Sequence, residues 1–436
     1  MADNLKEYLS AYQKILNLLS THFVRNVLRG LSVLGGGYAV AKVISLAEEL
    51  FIGRYLGVQT YGTYLVILAI STIFSAVMAL GIPKAVVKIV AEKNERIADV
   101  PVNAFFIAFF LSVAISLPVI IIGSSGWLLS LLGITLYQLV FGYVIAFLLT
   151  VYTVAQSFKL ALYNMRYVII ADIVYWGVAL AFFVLFRNLT LGLVGICVGS
   201  VVGSAVLIRK VPLTLSRFSL STVRGLLPLS VYLGADTVIG LSAQQISILY
   251  LNIIASAYFV GVFGAHARSS IFLIVPLVTV VTMALYPRFC SIDKASRPQV
   301  GRYLAFLGVP VVVSVLLLSY VSGIVFLYIF RVQVIQSLLL LLAVYSALFF
   351  YNRVWDKLVT ACEGAKIVAW GVVLGTITFL LIMVMFTPLL GGMQAIAAGM
   401  ISNELIYGIV LLSWFKRHAS GNQGPKTISD SDIAIL

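Results

Sequence analysis

Charge is what this sequence has least of. Asp, Glu, Lys and Arg make up only 10% of its 436 residues, against 62% hydrophobic residues and a mean hydropathy of +1.10. A soluble chain of this length needs far more polar surface to cover its core. Cysteine is also scarce. Cys197, Cys290 and Cys362 are widely separated, which excludes a disulfide framework and offers no metal-ligand spacing. No G-x-x-x-x-G-K-[ST] loop is present, so the chain carries no nucleotide-driven pump of its own. The first 27 residues begin acidic and polar and do not read as a cleavable signal peptide. The period-2 alternation of a membrane β-barrel is missing as well.

What is present is a succession of apolar runs, each about 20 residues long, the length a helix needs to cross the hydrocarbon layer. They predict an all-α polytopic membrane protein with twelve spans, near 31–52, 61–83, 102–122, 137–157, 167–186, 191–209, 228–251, 258–285, 303–327, 334–353, 367–387 and 393–415. The apolar stretch 126–136 is too short to span and reads as interfacial. Ahead of the first span, residues 5–19 place Leu5, Tyr8, Leu9, Tyr12, Ile15, Leu16 and Leu19 at helical spacing. That pattern predicts an amphipathic helix lying on the membrane within a cytoplasmic segment 1–27.

The net charge of +14 would point to nucleic acid in a soluble protein. Its distribution says otherwise. Of 29 Lys and Arg, only Arg54, Arg187 and Arg331 fall on one side of the membrane and only Lys42 and Arg268 within spans, leaving 24 on the side of both termini. That asymmetry is an orientation signal: both termini are expected in the cytoplasm, in an inner-membrane protein with no nucleic-acid partner.

The chain also repeats. Gly62 and Gly261, Gly192 and Gly392, Gly199 and Gly399, and Lys159 and Lys357 recur at offsets of 198 to 200 residues. Two pseudo-symmetric six-helix bundles around a central cavity are therefore expected, at 28–209 and 228–416. A cytoplasmic linker 210–227 joins them, and a disordered cytoplasmic tail 417–436 follows. Parallel halves of this kind suit alternating access.

On these landmarks the chain resembles a known family. "GRYLGVQTYGTY" between the first two spans, with Arg54, Leu56, Gly57, Tyr61, Gly62 and Tyr64, is followed by "ALGIPKAVVKIVAEK". The second half carries "LPLSVYLGA", "YFVGVFGAHARSS" and "MALYPRF". The pattern is similar to the oligosaccharide (polysaccharide, O-antigen type) flippases, in the superfamily that also holds multidrug and toxin extrusion transporters. The resemblance implies movement of a polyprenyl-(pyro)phosphate-linked oligosaccharide from the inner to the outer leaflet, for cell-surface polysaccharide or glycoprotein assembly. Many relatives carry an acid late in span seven, where this chain has Gln244 and Gln245. The runner-up within the superfamily is an ion-coupled multidrug/cation antiporter. An enzyme is not expected, because the outer connections are short and almost uncharged.

Ionisable groups within spans cost about 2.5–3.5 kcal/mol each on insertion scales, so each asks for a reason. In span one, Gly35, Tyr38, Lys42, Ser45 and Glu49 form one small-and-polar stripe. Lys42 stands near mid-membrane. It either offsets the lost hydration of a crossing phosphate or pairs with Glu49 or an acid from another span. Arg268 in span eight is open to the same two readings, phosphate contact or interhelical ion pair. Arg54, Tyr38 and Ser45 complete the expected substrate-binding set. His266 reads as a hydrogen-bonded structural residue in preference to a proton relay. Glu49, Asp236 and Glu404, and more weakly Glu48 and Asp172, are candidates to take up H⁺ or Na⁺, or else to bridge to Lys42 or Arg268. No cofactor or metal is expected beyond an ion gradient. The expected partners are lipid-linked oligosaccharide, membrane lipids and glycosyltransferases or a polymerase of the same pathway, the protein itself acting as a monomer. The sequon at Asn188 and the "DSD" at 430–432 carry no weight.

Overall fold

A computed structural model describes residues 37, 40–92, 99–162, 164–209, 211, 218–290, 297–362 and 364–419. The amphipathic helix expected before residue 28, Tyr38, and the tail from 420 lie outside the described residues, as do several side chains in the middle of the seventh span, among them Asp236 and Gln244.

Among the described residues the chain is helical, without strands. Helix α1 (40–51) runs into a π turn at Ile52–Leu56. There follow α2 (Val58–Ala79), α3 (Ile82–Glu92), α4 (Val100–Ser124), the short α5 (Gly126–Leu131), α6 (Leu136–Ala161), α7 (Met165–Phe186) and α8 (Leu189–Ile208). After the long α9 (Leu220–Ile254) come α10 (Ala257–Ile271), α11 (Ile274–Cys290), α12 (Arg297–Phe330), α13 (Gln336–Ala361), α14 (Ala365–Leu390) and α15 (Gly392–Ala419). Nine of the described helices are long and apolar enough to cross a membrane: α2, α4, α6, α7, α8, α12, α13, α14 and α15. They coincide with the second to sixth and ninth to twelfth apolar runs of the sequence.

The second and eighth runs depart from the single helices expected of them, and proline is the cause. Pro83 and Pro276 lack the N–H that would bond to the carbonyl four residues back, and their rings crowd that carbonyl. The helix accordingly stops at Ala79 in one case and breaks at Phe272–Leu273 in the other. At the first break Leu80 takes a left-handed conformation and caps α2 by donating its N–H to the Ala76 carbonyl.

The helices form two compact units, Met1–Gly234 and Ala235–Leu436. In the first, Ile82, Val86, Ala104, Ile107, Val154 and Phe158 make a core that also buries Leu226 from the start of α9. The same arm of α9 is tied down at its N-terminus, where the Ser219 N–H donates to Asn103 Oδ1 at 3.0 Å. In the second unit, α13 is surrounded by α11, α12 and α15, and Phe350, Trp355, Leu358, Tyr407, Leu411 and Phe415 form the core.

The repeat landmarks Gly199 and Gly399 do the same work in the two units. A Cβ on Gly199 would stand 2.5 Å from the Tyr175 carbonyl, and one on Gly399 2.9 Å from the Phe379 carbonyl. Each lets an antiparallel helix pair, α7–α8 or α14–α15, close to backbone contact.

Candidate functional site

The first unit holds an internal string of carboxylates and tyrosines, and the outer-turn motif of the sequence builds one end of it. Gly57, at φ +94°, reverses the chain between α1 and α2 in a conformation L side chains rarely adopt. The two helices then run antiparallel, which brings the acids near the end of α1 opposite the tyrosines at the start of α2. Tyr61 donates its hydroxyl to Glu49 Oε2 at 2.8 Å, and Tyr64 donates to Glu48 Oε1 at 3.0 Å. Glu48 is wholly buried and Glu49 nearly so. Among the described residues, the second oxygen of Glu48 is buried with no hydrogen-bond partner.

Further along, α6 and α7 continue the string. Asp172 accepts hydrogen bonds from the Tyr152 hydroxyl and from Gln156 Nε2, the latter at 3.4 Å. Tyr175, one turn from Asp172, is buried and within electrostatic reach of both Asp172 and Glu48. The Tyr152 and Tyr175 rings sit 5.5 Å apart, and Tyr64 meets Phe183 edge-on at 6.0 Å. The charge of Lys42, half-buried on α1, interacts with Asp172. Ser45 and Glu49 are buried on the same helix, while Val40 and Val43 are exposed, so the described part of the span-one stripe turns inward.

Lys42, Ser45, Glu48, Glu49 and Asp172 thus belong to one cluster. Arg54 does not share it; it is exposed on the π turn, 5.8 Å from the ring of Tyr55.

The second unit gathers fewer groups. Glu404 on α15 is buried; its Oε2 and its backbone carbonyl accept from Asn352 Nδ2 at 2.8 and 2.7 Å, and its Oε1 faces Arg353 Nη2 at 3.6 Å. Arg353 also lies over the rings of Phe349 and Tyr407, at 4.8 and 5.3 Å. The sequence places Arg353 at the very end of the tenth run, on the side of both termini; the structure puts it inside α13, since that helix continues to Ala361. Arg268 is exposed in the last turn of α10.

His266 has the structural role expected of it. Its Nδ1–H donates to the Val262 carbonyl at 2.8 Å, and its Nε2 accepts the Ile335 N–H at 3.0 Å. That arrangement satisfies a backbone donor at the start of α13 and requires a neutral ring. Asn188 is likewise used as a helix cap, accepting the Leu191 N–H. Among the described residues no group of three or more His, Cys, Asp or Glu could hold a metal ion.

The residues that sequence reasoning passed over are Tyr61, Tyr64, Tyr152, Tyr175 and Arg353. Two of them were within reach: Tyr61 and Tyr64, three residues apart, share a helix face directly after the turn that follows Glu48 and Glu49.

A family model described as "Polysaccharide biosynthesis protein" matches residues 27–293. No curated protein matches the chain in sequence. Among solved structures, an inward-facing multidrug resistance MATE family transporter of the MOP superfamily is similar with a TM-score of 0.66 at 16% identity, over 87% of this chain and 94% of that one. An outward-facing multidrug resistance MATE family transporter of the same superfamily gives 0.60 at 17% identity, over 93% and 97%. A MATE structure in the bent conformation gives 0.59 at 17% identity, over 93% and 97%.

Proposed function

The chain belongs to the polysaccharide biosynthesis protein family, and from that membership we propose that it is a flippase. In this reading it moves a polyprenyl-(pyro)phosphate-linked oligosaccharide from the cytoplasmic to the outer leaflet of the inner membrane by alternating access. The family match, which spans more than half the chain, is the observation that carries the proposal. The likeness in fold to both inward- and outward-facing transporters supports alternating access as the mode of action. The strong bias of Lys and Arg to one side supports cytoplasmic termini.

Within that frame Lys42 serves the phosphate as it crosses, offsetting its lost hydration. Asp172 holds the ammonium in place between visits. A cation gradient drives the cycle, and the carboxylate best suited to take up the cation is Glu48, buried with one oxygen unmatched. Translocation of the glycolipid from the glycosyltransferases that build it to the enzymes that use it follows from the family's place in polysaccharide assembly.

One observation favours a second reading. The similar solved structures are multidrug transporters, and three buried or half-buried acids in the first unit would suit a cationic drug. Proteoliposomes holding the full chain separate the two. They would be loaded either with a short-chain polyprenyl diphosphate bearing a fluorescent oligosaccharide or with a cationic dye. The flippase reading expects the glycolipid to cross and the dye to stay, with Lys42→Ala slowing transfer by about tenfold or more through loss of a charge-assisted contact. Dye transport without glycolipid transport would replace it with the antiporter. Unimpaired glycolipid transfer by Lys42→Ala would remove Lys42 from the phosphate path.

A further inference from the structure

Arg353 stands eight residues before the end of α13 at Ala361, about 12 Å along the helix. A long basic side chain so placed normally extends toward the nearer membrane surface. This one turns the other way. Its guanidinium lies over Phe349, one turn back toward the start of the helix, and beside Tyr407 of α15. Helical side chains lean in that direction, and two ring faces hold the cation there.

The donors of this guanidinium are largely unspent. Its contact with Glu404 Oε1, at 3.6 Å, is longer than a hydrogen bond. Glu404 gives its other oxygen to Asn352, and the neighbouring Asp356 is engaged by Lys357 at 3.6 Å and by the Thr360 hydroxyl. Among the described residues no acceptor takes a hydrogen bond from Arg353, yet 28% of its side chain is exposed. Lipid tails cannot face an open guanidinium inside a span, so the open side must meet water or an anion.

We infer that Arg353 is an anion site of the second unit and takes a phosphoryl group, its planar fork offering two parallel hydrogen bonds to the phosphate oxygens. Glu404 and the two rings act as its positioning residues. The identity of the ligand as the diphosphate head of a lipid rests on the flippase reading; the site itself does not.

The test is binding of three probes to the full chain in detergent: farnesyl diphosphate, farnesol and inorganic pyrophosphate. Removing Arg353 alone would strand the buried Glu404, so the informative variant is Arg353→Gln combined with Glu404→Gln, with thermal unfolding as the check on folding. The wild type should bind farnesyl diphosphate at least about tenfold tighter than farnesol, one charge-assisted contact's worth. The double variant should unfold at nearly the wild-type temperature and lose the part of that preference that Arg353 supplies, about tenfold. Should the double variant fail to fold, Arg353→Lys decides: it keeps the ion pair but not the fork, and should bind the diphosphate measurably more weakly with unchanged stability. A folded double variant, or an Arg353→Lys protein, that retains the full preference for diphosphate overturns the site, as does wild-type protein that binds farnesol equally well. Inorganic pyrophosphate bound as tightly as farnesyl diphosphate, and lost with Arg353, would keep the anion site and count against a lipid-linked substrate.

Discussion

Glu48 of the first unit and Glu404 of the second are buried in opposite ways. In the second, the Glu404 carboxylate accepts one hydrogen bond from Asn352 on Oε2 and has the opposite charge of Arg353 facing Oε1. In the first, among the described residues, Glu48 has one phenol donor and one oxygen with nothing to accept from, and its neighbour on the helix is a second acid, Glu49. A carboxylate with a tethered cation has no need of a soluble one. A carboxylate left half-matched in a low-dielectric site is neutralised most simply by a proton. The two units therefore differ in how a buried carboxylate is matched: by one phenol in the first and by an amide and a facing guanidinium in the second.

That contrast can be broken where the largest effect is expected. Arg353→Met leaves Glu404 buried without its counter-charge and should cost about 3–5 kcal/mol, read as a lower thermal unfolding midpoint. Removing both partners, as Arg353→Met with Glu404→Met, should recover most of the loss. If Arg353→Met were as stable as the wild type, the second unit would not depend on its pair, and the contrast would fail.

A smaller effect is expected of the donors in the first unit. Tyr64→Phe removes the one hydrogen bond to Glu48 and should cost about 1.5–3 kcal/mol if that carboxylate is charged. If it carries a proton the cost should fall to about 1 kcal/mol. Measuring the variant across pH distinguishes these states.

The smallest change sharpens the comparison most. Glu48→Gln keeps an acceptor for Tyr64 while removing the charge, so its stability should match or exceed the wild type. Glu404→Gln, by contrast, strands Arg353 and should be destabilised. Equal losses from the two substitutions would make the units electrostatically alike.

Much of the architecture was legible in the sequence, because apolar length reports membrane crossing directly. The breaks before Pro83 and Pro276 were harder to see, since hydropathy runs straight through them and only the missing N–H marks the spot. The site was legible in part. Lys42, Glu48, Glu49, Asp172 and Glu404 stand out because a charge inside a span is rare. Their partners do not. Tyr61, Tyr64, Tyr152 and Tyr175 resemble any tyrosine near the ends of membrane helices, where the ring usually serves as an interfacial anchor. What sets them apart is the residue facing them across the fold, and spacing along one chain does not contain that. Arg353 was hidden for a different reason: a cation near the end of an apolar run reads as loop, and only the continuation of α13 to Ala361 carries it into the span.

The account stands or falls on whether a phosphate-bearing lipid is the cargo. Its most direct test compares translocation, by the wild-type chain in proteoliposomes, of one oligosaccharide carried either on a polyprenyl diphosphate or on an uncharged lipid of equal length. The diphosphate form should cross at least about tenfold faster, the worth of one charge-assisted contact to the phosphates. Equal rates for the charged and uncharged lipids would contradict it.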